Sequence, residues 1–254
     1  MILNLGETGQ GAPVVLLHGL FGAGGNFAGI ARRLAAGFRV LSPDLRNHGS
    51  SPHSPAMAYA GMAEDVLETL ARHGTGPAAV VGHSMGGKVA MQLALLHPGA
   101  VSRLVVADIA PVPYPPAFRG FAEAMLALPL QPGLTRGAAD QALAAAVPDA
   151  GVRAFLLSNL RTGPAPSWRI GLAEVAAALP EIEGWAAPAG TYPGPTLVLR
   201  GDRSDYVRPE HRPLFRALFP AARFASLRGA GHWLHADAPE AFAETVRGFL
   251  AGEG

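Results

Sequence analysis

The chain has 254 residues, 49% hydrophobic and 15% charged, with a formal net charge of +1 and no cysteine. That length suits one domain with a small insertion, and the balance excludes disorder and any basic footprint for nucleic acid or an anionic membrane. The missing cysteines exclude disulfides, thiolate metal sites and a cysteine nucleophile.

Met1 to Gln10 holds neither a basic region nor a sustained apolar stretch, so it does not read as a signal peptide. No run approaches the roughly 18 apolar residues of a membrane span. A soluble, cytoplasmic protein is expected. Lys88 is the only lysine among the basic residues, which reads as compositional bias toward arginine.

Short β-rich runs alternate with helical patterns, which predicts an α/β fold with a mostly parallel sheet flanked by helices. Val14–Leu17 is an apolar strand ending at His18-Gly19. Asn26 precedes a helical stretch with Phe27, Ile30, Ala31 and Leu34 on one face. Arg39–Ser42 is a second strand, ending at Pro43-Asp44. Met62, Val66 and Leu70 recur at helical spacing, giving an amphipathic helix over about 59–72. Ala78–Gly82 is a third strand, about 85–96 a helix closed by His97-Pro98-Gly99, and Leu104–Asp108 a fourth strand.

The alternation then stops. Residues 111–194 are rich in Pro, Ala and Gly, with helical fragments and no clear strand, and are read as a helical cap inserted into a core of residues 1–110 and 195–254. Strand, helix, strand and helix resume over about 196–200, 208–219, 223–227 and 239–250.

Gly82-His83-Ser84-Met85-Gly86 is a G-x-S-x-G segment placed after a strand and before a helix, the context a nucleophile elbow requires. A serine at so sharp a turn sits in strained backbone, and side chains two residues either side would collide, hence Gly82 and Gly86. The turn also presents the hydroxyl at a helix N-terminus. His18-Gly19-Leu20-Phe21-Gly22 follows the first core strand. The N–H groups of Leu20 and Met85 are the expected oxyanion donors, with Phe21 less suited.

His232, on the loop between the last strand and the last helix, is the expected general base, with His235 its near rival. A metal cluster of these two with Asp237 lacks a third ligand motif. His83 is expected to pack or hydrogen-bond beside Ser84, and His48, His53, His73, His97 and His211 to be ordinary surface or turn residues. The acid has two contenders. The usual later-loop position carries Ser204, with Asp202 and Asp205 nearby. Asp108 ends the strand after the nucleophile strand, where a buried carboxylate needs a partner. Asp108 is preferred and Asp205 is the alternative.

The chain resembles the bacterial YbfF-type esterases and the ABHD11-like group of the α/β-hydrolase superfamily. The segments that carry the likeness are His18-Gly19-Leu20-Phe21-Gly22, Asp44-Leu45-Arg46-Asn47-His48-Gly49, Gly82-His83-Ser84-Met85-Gly86-Gly87-Lys88, Asp108-Ile109-Ala110-Pro111-Val112 and Gly231-His232-Trp233-Leu234-His235-Ala236. The resemblance implies hydrolysis of carboxylic esters or thioesters, a helical cap and no cofactor or metal. Relatives also tend to lack aspartate at the later-loop position, which supports Asp108. Asn159, in a family-like cap segment, and Phe21 are expected at the substrate.

The expected activity is that of a serine carboxylesterase with a Ser84-His232-Asp108 triad and a small-molecule ester as substrate. A slow-turnover ligand receptor and a serine carbon–carbon hydrolase or perhydrolase are the alternatives. Phe118, Phe121, Met125, Leu128, Phe155, Trp168 and Trp185 could line an apolar pocket, with at least half of them forming the cap's own core.

Overall fold

Period-two alternation in the strands sorts the core into two layers. Val15, Leu17, Val80, Leu104 and Val106 face one side of the sheet, and Val14, Leu16, Ala79, Val81, Val105 and Ala107 the other. Both faces are apolar, so both need a covering of helices.

The computed structural model describes residues 1–252. Its elements in chain order are β1 (Leu5–Thr8), β2 (Ala12–Leu17), α1 (Ala28–Leu34), β3 (Phe38–Pro43), α2 (Tyr59–Arg72), β4 (Ala78–His83), α3 (Met85–Leu96) and β5 (Val101–Ala107). Next come α4 (Arg119–Ala127), α5 (Arg136–Leu143), α6 (Ala150–Leu157), β6 (Leu160–Arg161), β7 (Ser167–Trp168), α7 (Leu172–Ala177) and α8 (Leu179–Glu183). The chain ends with β8 (Thr196–Gly201), α9 (Arg212–Leu218), β9 (Ala222–Leu227), α10 (Leu234–Asp237) and α11 (Pro239–Ala251).

Seven strands form one sheet in the order β1-β3-β2-β4-β5-β8-β9, and only β1 pairs antiparallel. On one face α2, α3 and α9 bury Met62, Val66, Val89, Leu93 and Phe215. On the other, α1 and α11 bury Ile30, Leu34, Phe242, Val246 and Leu250. Each such side chain contributes about 1.5–3 kcal/mol relative to exposure. Every residue of α3 from Met85 to Leu95 is buried. A helix buried all round belongs between layers, and α3 lies against β4, β5 and α2.

The helical insertion, α4 to α8, lies between β5 and β8, as the broken alternation predicts. Four details differ from the expected layout. β1 is an additional edge strand; three of its four residues are exposed, so it carries no apolar pattern. The insertion contains a two-stranded antiparallel ladder, β6 with β7, too short for a period to show. The helix expected over 208–219 begins as a 3₁₀ turn at Pro209–His211; α9 starts afresh with Pro213 in its first turn, where a missing N–H is harmless. The short helix α10 precedes α11.

Lys88 is 1% exposed. Its ammonium donates to the carbonyls of Gly184 at 2.6 Å and Glu183 at 3.2 Å, and lies 5.1 Å from the Tyr114 ring centre. The only lysine is therefore a built contact, not a remnant of compositional bias. It caps the open carbonyls at the end of α8 and ties the insertion to α3. Replacing Lys88 by Met leaves the Gly184 carbonyl without a donor and that of Glu183 with only the Tyr114 N–H, at a cost of about 1–3 kcal/mol. For a chain this size the thermal midpoint should drop by roughly 2–4 °C per kcal/mol. A Lys88→Met melting curve superimposable on the parent would contradict the anchor.

Candidate active site

The strand order reverses around β2, with β3 on one side and β4 on the other. In an open parallel sheet such a point opens a crevice beyond the carboxyl ends of the strands. Loops following β2, β4, β5 and β9 deliver Leu20, Ser84, Asp108 and His232 to that edge.

Ser84 joins β4 to α3 with φ 54° and ψ −120°, a conformation L-residues rarely hold. A Cβ on Gly82 would lie 2.2 Å from the Gly86 carbonyl oxygen, and one on Gly86 would lie 2.3 Å from that of Leu17. Both glycines are thus required by close approach, as expected for the elbow. The Ser84 N–H is held by the Ala107 carbonyl at 3.0 Å.

Asp108 is fully buried, also at positive φ, 52°. Its Oδ1 accepts from the Gly201 N–H at 3.1 Å, and its Oδ2 accepts from the Ser204 hydroxyl and from His232 Nδ1 at 2.8 Å. A carboxylate only accepts, so Nδ1 carries the proton and the Nε2 lone pair faces outward. That Nε2 lies 3.1 Å from Ser84 Oγ. Ser84, His232 and Asp108 therefore meet in one hydrogen-bonded line. The arrangement can take a proton from the serine and hold the resulting imidazolium beside a negative charge.

Asp205 is exposed and does not enter this line. Asp202 caps the Gly229 N–H. Ser204, at the later-loop position, serves Asp108 as a hydrogen-bond donor. His235 points elsewhere: its ring packs 4.6 Å from Phe27 and against Phe242. Asp237 accepts from the Gly231 N–H.

Sequence reasoning missed Tyr206. Its ring stacks on His232 with centroids 4.0 Å apart and planes 20° from parallel, fixing the imidazole from its open face. A single aromatic in an irregular loop carries no periodic signal.

The N–H groups of Leu20 and Met85 have no partner among the described residues. The Phe21 N–H is already committed to His48 Nε2 at 3.2 Å, which leaves Leu20 and Met85 as the available donors. His48 is fully buried rather than a surface residue; its role rests on a contact 27 residues away in sequence. Phe21 lines the cavity beside Ser84. Asn159 does not: it is 3% exposed and donates from Nδ2 to the Phe21 carbonyl at 2.8 Å.

The cavity has a volume of about 320 Å³. Leu20, Phe21, Phe118, Phe121, Val152 and Phe155 supply its apolar wall, with Ser84 and His232 opening into it. Met125 and Leu128 are buried in the insertion, and Trp168 and Trp185 pack against the core. The expected split between pocket and cap core therefore holds, with Phe118, Phe121 and Phe155 in the pocket.

Four histidines around the site are held neutral. Burial pushes His48 down to about 3, His235 to about 4, and His83 well below the usual range; His18 is lowered for the same reason. His83 Nε2 donates to the His232 carbonyl at 2.7 Å, so its neutral ring also steadies the base. Unfolded, each of these imidazoles binds a proton near pH 6.5. Below that pH the unfolded chain takes up protons the fold refuses, so stability falls as pH falls. The slope is up to about 1.4 kcal/mol per pH unit for each such histidine. Denaturant titrations should show a steady loss from pH 6.5 to 4.5, made shallower by about one proton in His48→Gln. A slope unchanged by that substitution would contradict a neutral His48.

A family model described as alpha/beta hydrolase fold matches residues 12–239. The sn-1-specific diacylglycerol lipase ABHD11 of Mus musculus is 44% identical over 247 residues, covering 94% of this chain and 80% of the mouse protein. Esterase YbfF of Escherichia coli (strain K12) is 37% identical over 243 residues, covering 94% and 93%. A solved marine microorganism esterase superposes with a TM-score of 0.95 at 34% identity, covering 98% of this chain and 99% of the other. The chain belongs to the α/β-hydrolase fold family, within the branch of carboxylic ester hydrolases that holds YbfF and ABHD11.

Proposed function

We propose that this chain is a serine carboxylesterase that cleaves esters, or thioesters, of small apolar acyl groups through an acyl-enzyme on Ser84. One observation carries the reading: the unbroken line from Asp108 Oδ2 through both nitrogens of His232 to Ser84 Oγ, opening on an apolar cavity.

The chemistry follows from that line. His232 Nε2 takes the Ser84 proton as Oγ attacks the carbonyl carbon. The substrate oxygen gains charge between the free N–H groups of Leu20 and Met85, near the positive end of α3. His232 then gives its proton to the departing alkoxide or thiolate. A water molecule, deprotonated by His232, attacks the acyl-serine, and His232 returns that proton to Ser84 Oγ as the acid is released. Asp108 stays ionised and holds the imidazole in the required tautomer.

The cavity bears on the substrate. A volume of about 320 Å³ stands at the lower end of the roughly 300–1,000 Å³ of small-molecule sites. It favours one short or medium acyl or aryl group over the whole diacylglycerol named for the mouse relative.

Ser84→Ala should abolish turnover of p-nitrophenyl butyrate and labelling by a fluorophosphonate; residual turnover at the parent rate would refute the reading, as would a parent protein labelled once without sustained turnover. Asp108→Asn should lower kcat by about 10⁴-fold, with Asp205→Asn leaving it unchanged; the reverse pattern would move the acid to Asp205. Across p-nitrophenyl esters from acetyl to palmitoyl, kcat/KM should peak at short or medium chains. A maximum at palmitoyl would overturn the size argument.

A further inference from the structure

The loop carrying the Leu20 N–H is wired by hydrogen bonds to the insertion. Asn159 Nδ2, from the insertion, donates to the carbonyl of Phe21 at 2.8 Å. The same peptide unit carries the Gly22 N–H, which donates to the Gly19 carbonyl at 3.0 Å. That next peptide unit carries the Leu20 N–H, which has no protein partner and points away from the Gly19 oxygen across a trans peptide. Donor, peptide, peptide and free N–H thus form one head-to-tail chain. Each link polarises the next and fixes its plane.

Two further contacts hold the chain in place. His18 Nδ1 donates to the Gly19 carbonyl at 2.8 Å, and the Phe21 N–H donates to His48 Nε2 at 3.2 Å. Phe21 needs holding, because its φ is 59°, an expensive setting for a bulky side chain. Asn159, His48, His18 and Phe21 are each no more than 3% exposed, so water cannot replace a lost partner cheaply.

We propose that Asn159 is a positioning residue for ester hydrolysis: it aims and polarises the Leu20 N–H, making the oxyanion site depend on the seating of the insertion. His48 is its counterpart from the core. The inference rests on the serine-esterase reading above.

The experiment compares the parent, Ser84→Ala, Asn159→Asp, His48→Leu and His48→Gln on p-nitrophenyl acetate and its thionoester. Asn159→Asp keeps the shape but sets an acceptor against the Phe21 carbonyl. It should lower kcat by about 10–100-fold, somewhat below the roughly 10²–10³ lost when an oxyanion donor is removed, with KM changed only a few-fold. An oxyanion site discriminates a carbonyl from a thiocarbonyl, so the oxygen-to-sulfur rate ratio should fall about tenfold as well. His48→Leu should act in the same direction and His48→Gln, which retains an acceptor, should restore most of the rate. If Asn159→Asp fails to fold, the His48 pair carries the test alone.

A parent without Ser84-dependent turnover would defeat the esterase reading and this inference with it. Ser84-dependent turnover in the parent with parental kcat and rate ratio in Asn159→Asp, or in His48→Leu where that must stand alone, would defeat the inference only. A lowered melting temperature with an unchanged rate ratio would make Asn159 a structural residue and overturn the proposal too.

Discussion

Among the described residues, four that are not glycine are held in left-handed backbone: Phe21, Asn47, Ser84 and Asp108. They follow β2, β3, β4 and β5, the four adjacent central strands, at one edge of the sheet. Each such conformation costs on the order of 1–3 kcal/mol, so four together are a sizeable fraction of the stability of a typical domain. The surroundings that hold them account for much of this architecture. The Ser84 N–H is bound to the Ala107 carbonyl, and the Asp108 N–H to that of Leu199. Neighbouring strands thus restrain each other's final residue. Asn47 is closed into a local turn by Pro52 and Ser54, and Phe21 is held by His48 and Asn159. A two-layered apolar core beneath gives these strands the rigidity to bear the strain.

The electrostatics follow the same economy. Asp108 lies fully buried, where an ion without partners would be neutralised. Three donors meet it there: a backbone N–H, a serine hydroxyl and His232 itself. Around it His18, His48, His83 and His235 are kept uncharged by burial, and His232 is the ring that hydrogen-bonds the Asp108 carboxylate. The rings of His83 and His235 lie within 5 Å of each other, and that of His83 within 5 Å of His232.

How legible these features are in sequence depends on the range of the interaction. The strands and helices of the core show because their burial is periodic. Ser84 shows because its constraint is local: two glycines, a strand before and a helix after. Asp108 is harder, since Asp205 sits nearer the habitual loop. The decisive fact, that Ser204 donates to Asp108 across 96 positions, has no local trace. His48 reads as a turn residue because its partner, the Phe21 N–H, is a backbone group and leaves no pattern. Tyr206 and the β6–β7 ladder are similarly silent. Asn159 is picked out by its segment, but its partner is a main-chain carbonyl of the oxyanion loop rather than the cavity.

That contact changes how the insertion should be understood. A lid held by surface charges could lift freely, since exposed ion pairs contribute little. Here the attachments are buried and directed at backbone. Lys88 lies one turn beyond Ser84 on the same helix and grips the end of α8. Asn159 grips the loop on the other side of Ser84, and the Gly171 N–H binds the Asn47 carbonyl beyond it. Freeing the insertion would expose a buried ammonium's acceptors and release the strained Phe21 together. Both penalties fall on the elements that flank the serine. The insertion is therefore better described as a wall of the active-site cavity, to which it contributes Phe118, Phe121, Val152 and Phe155, than as a cover over it.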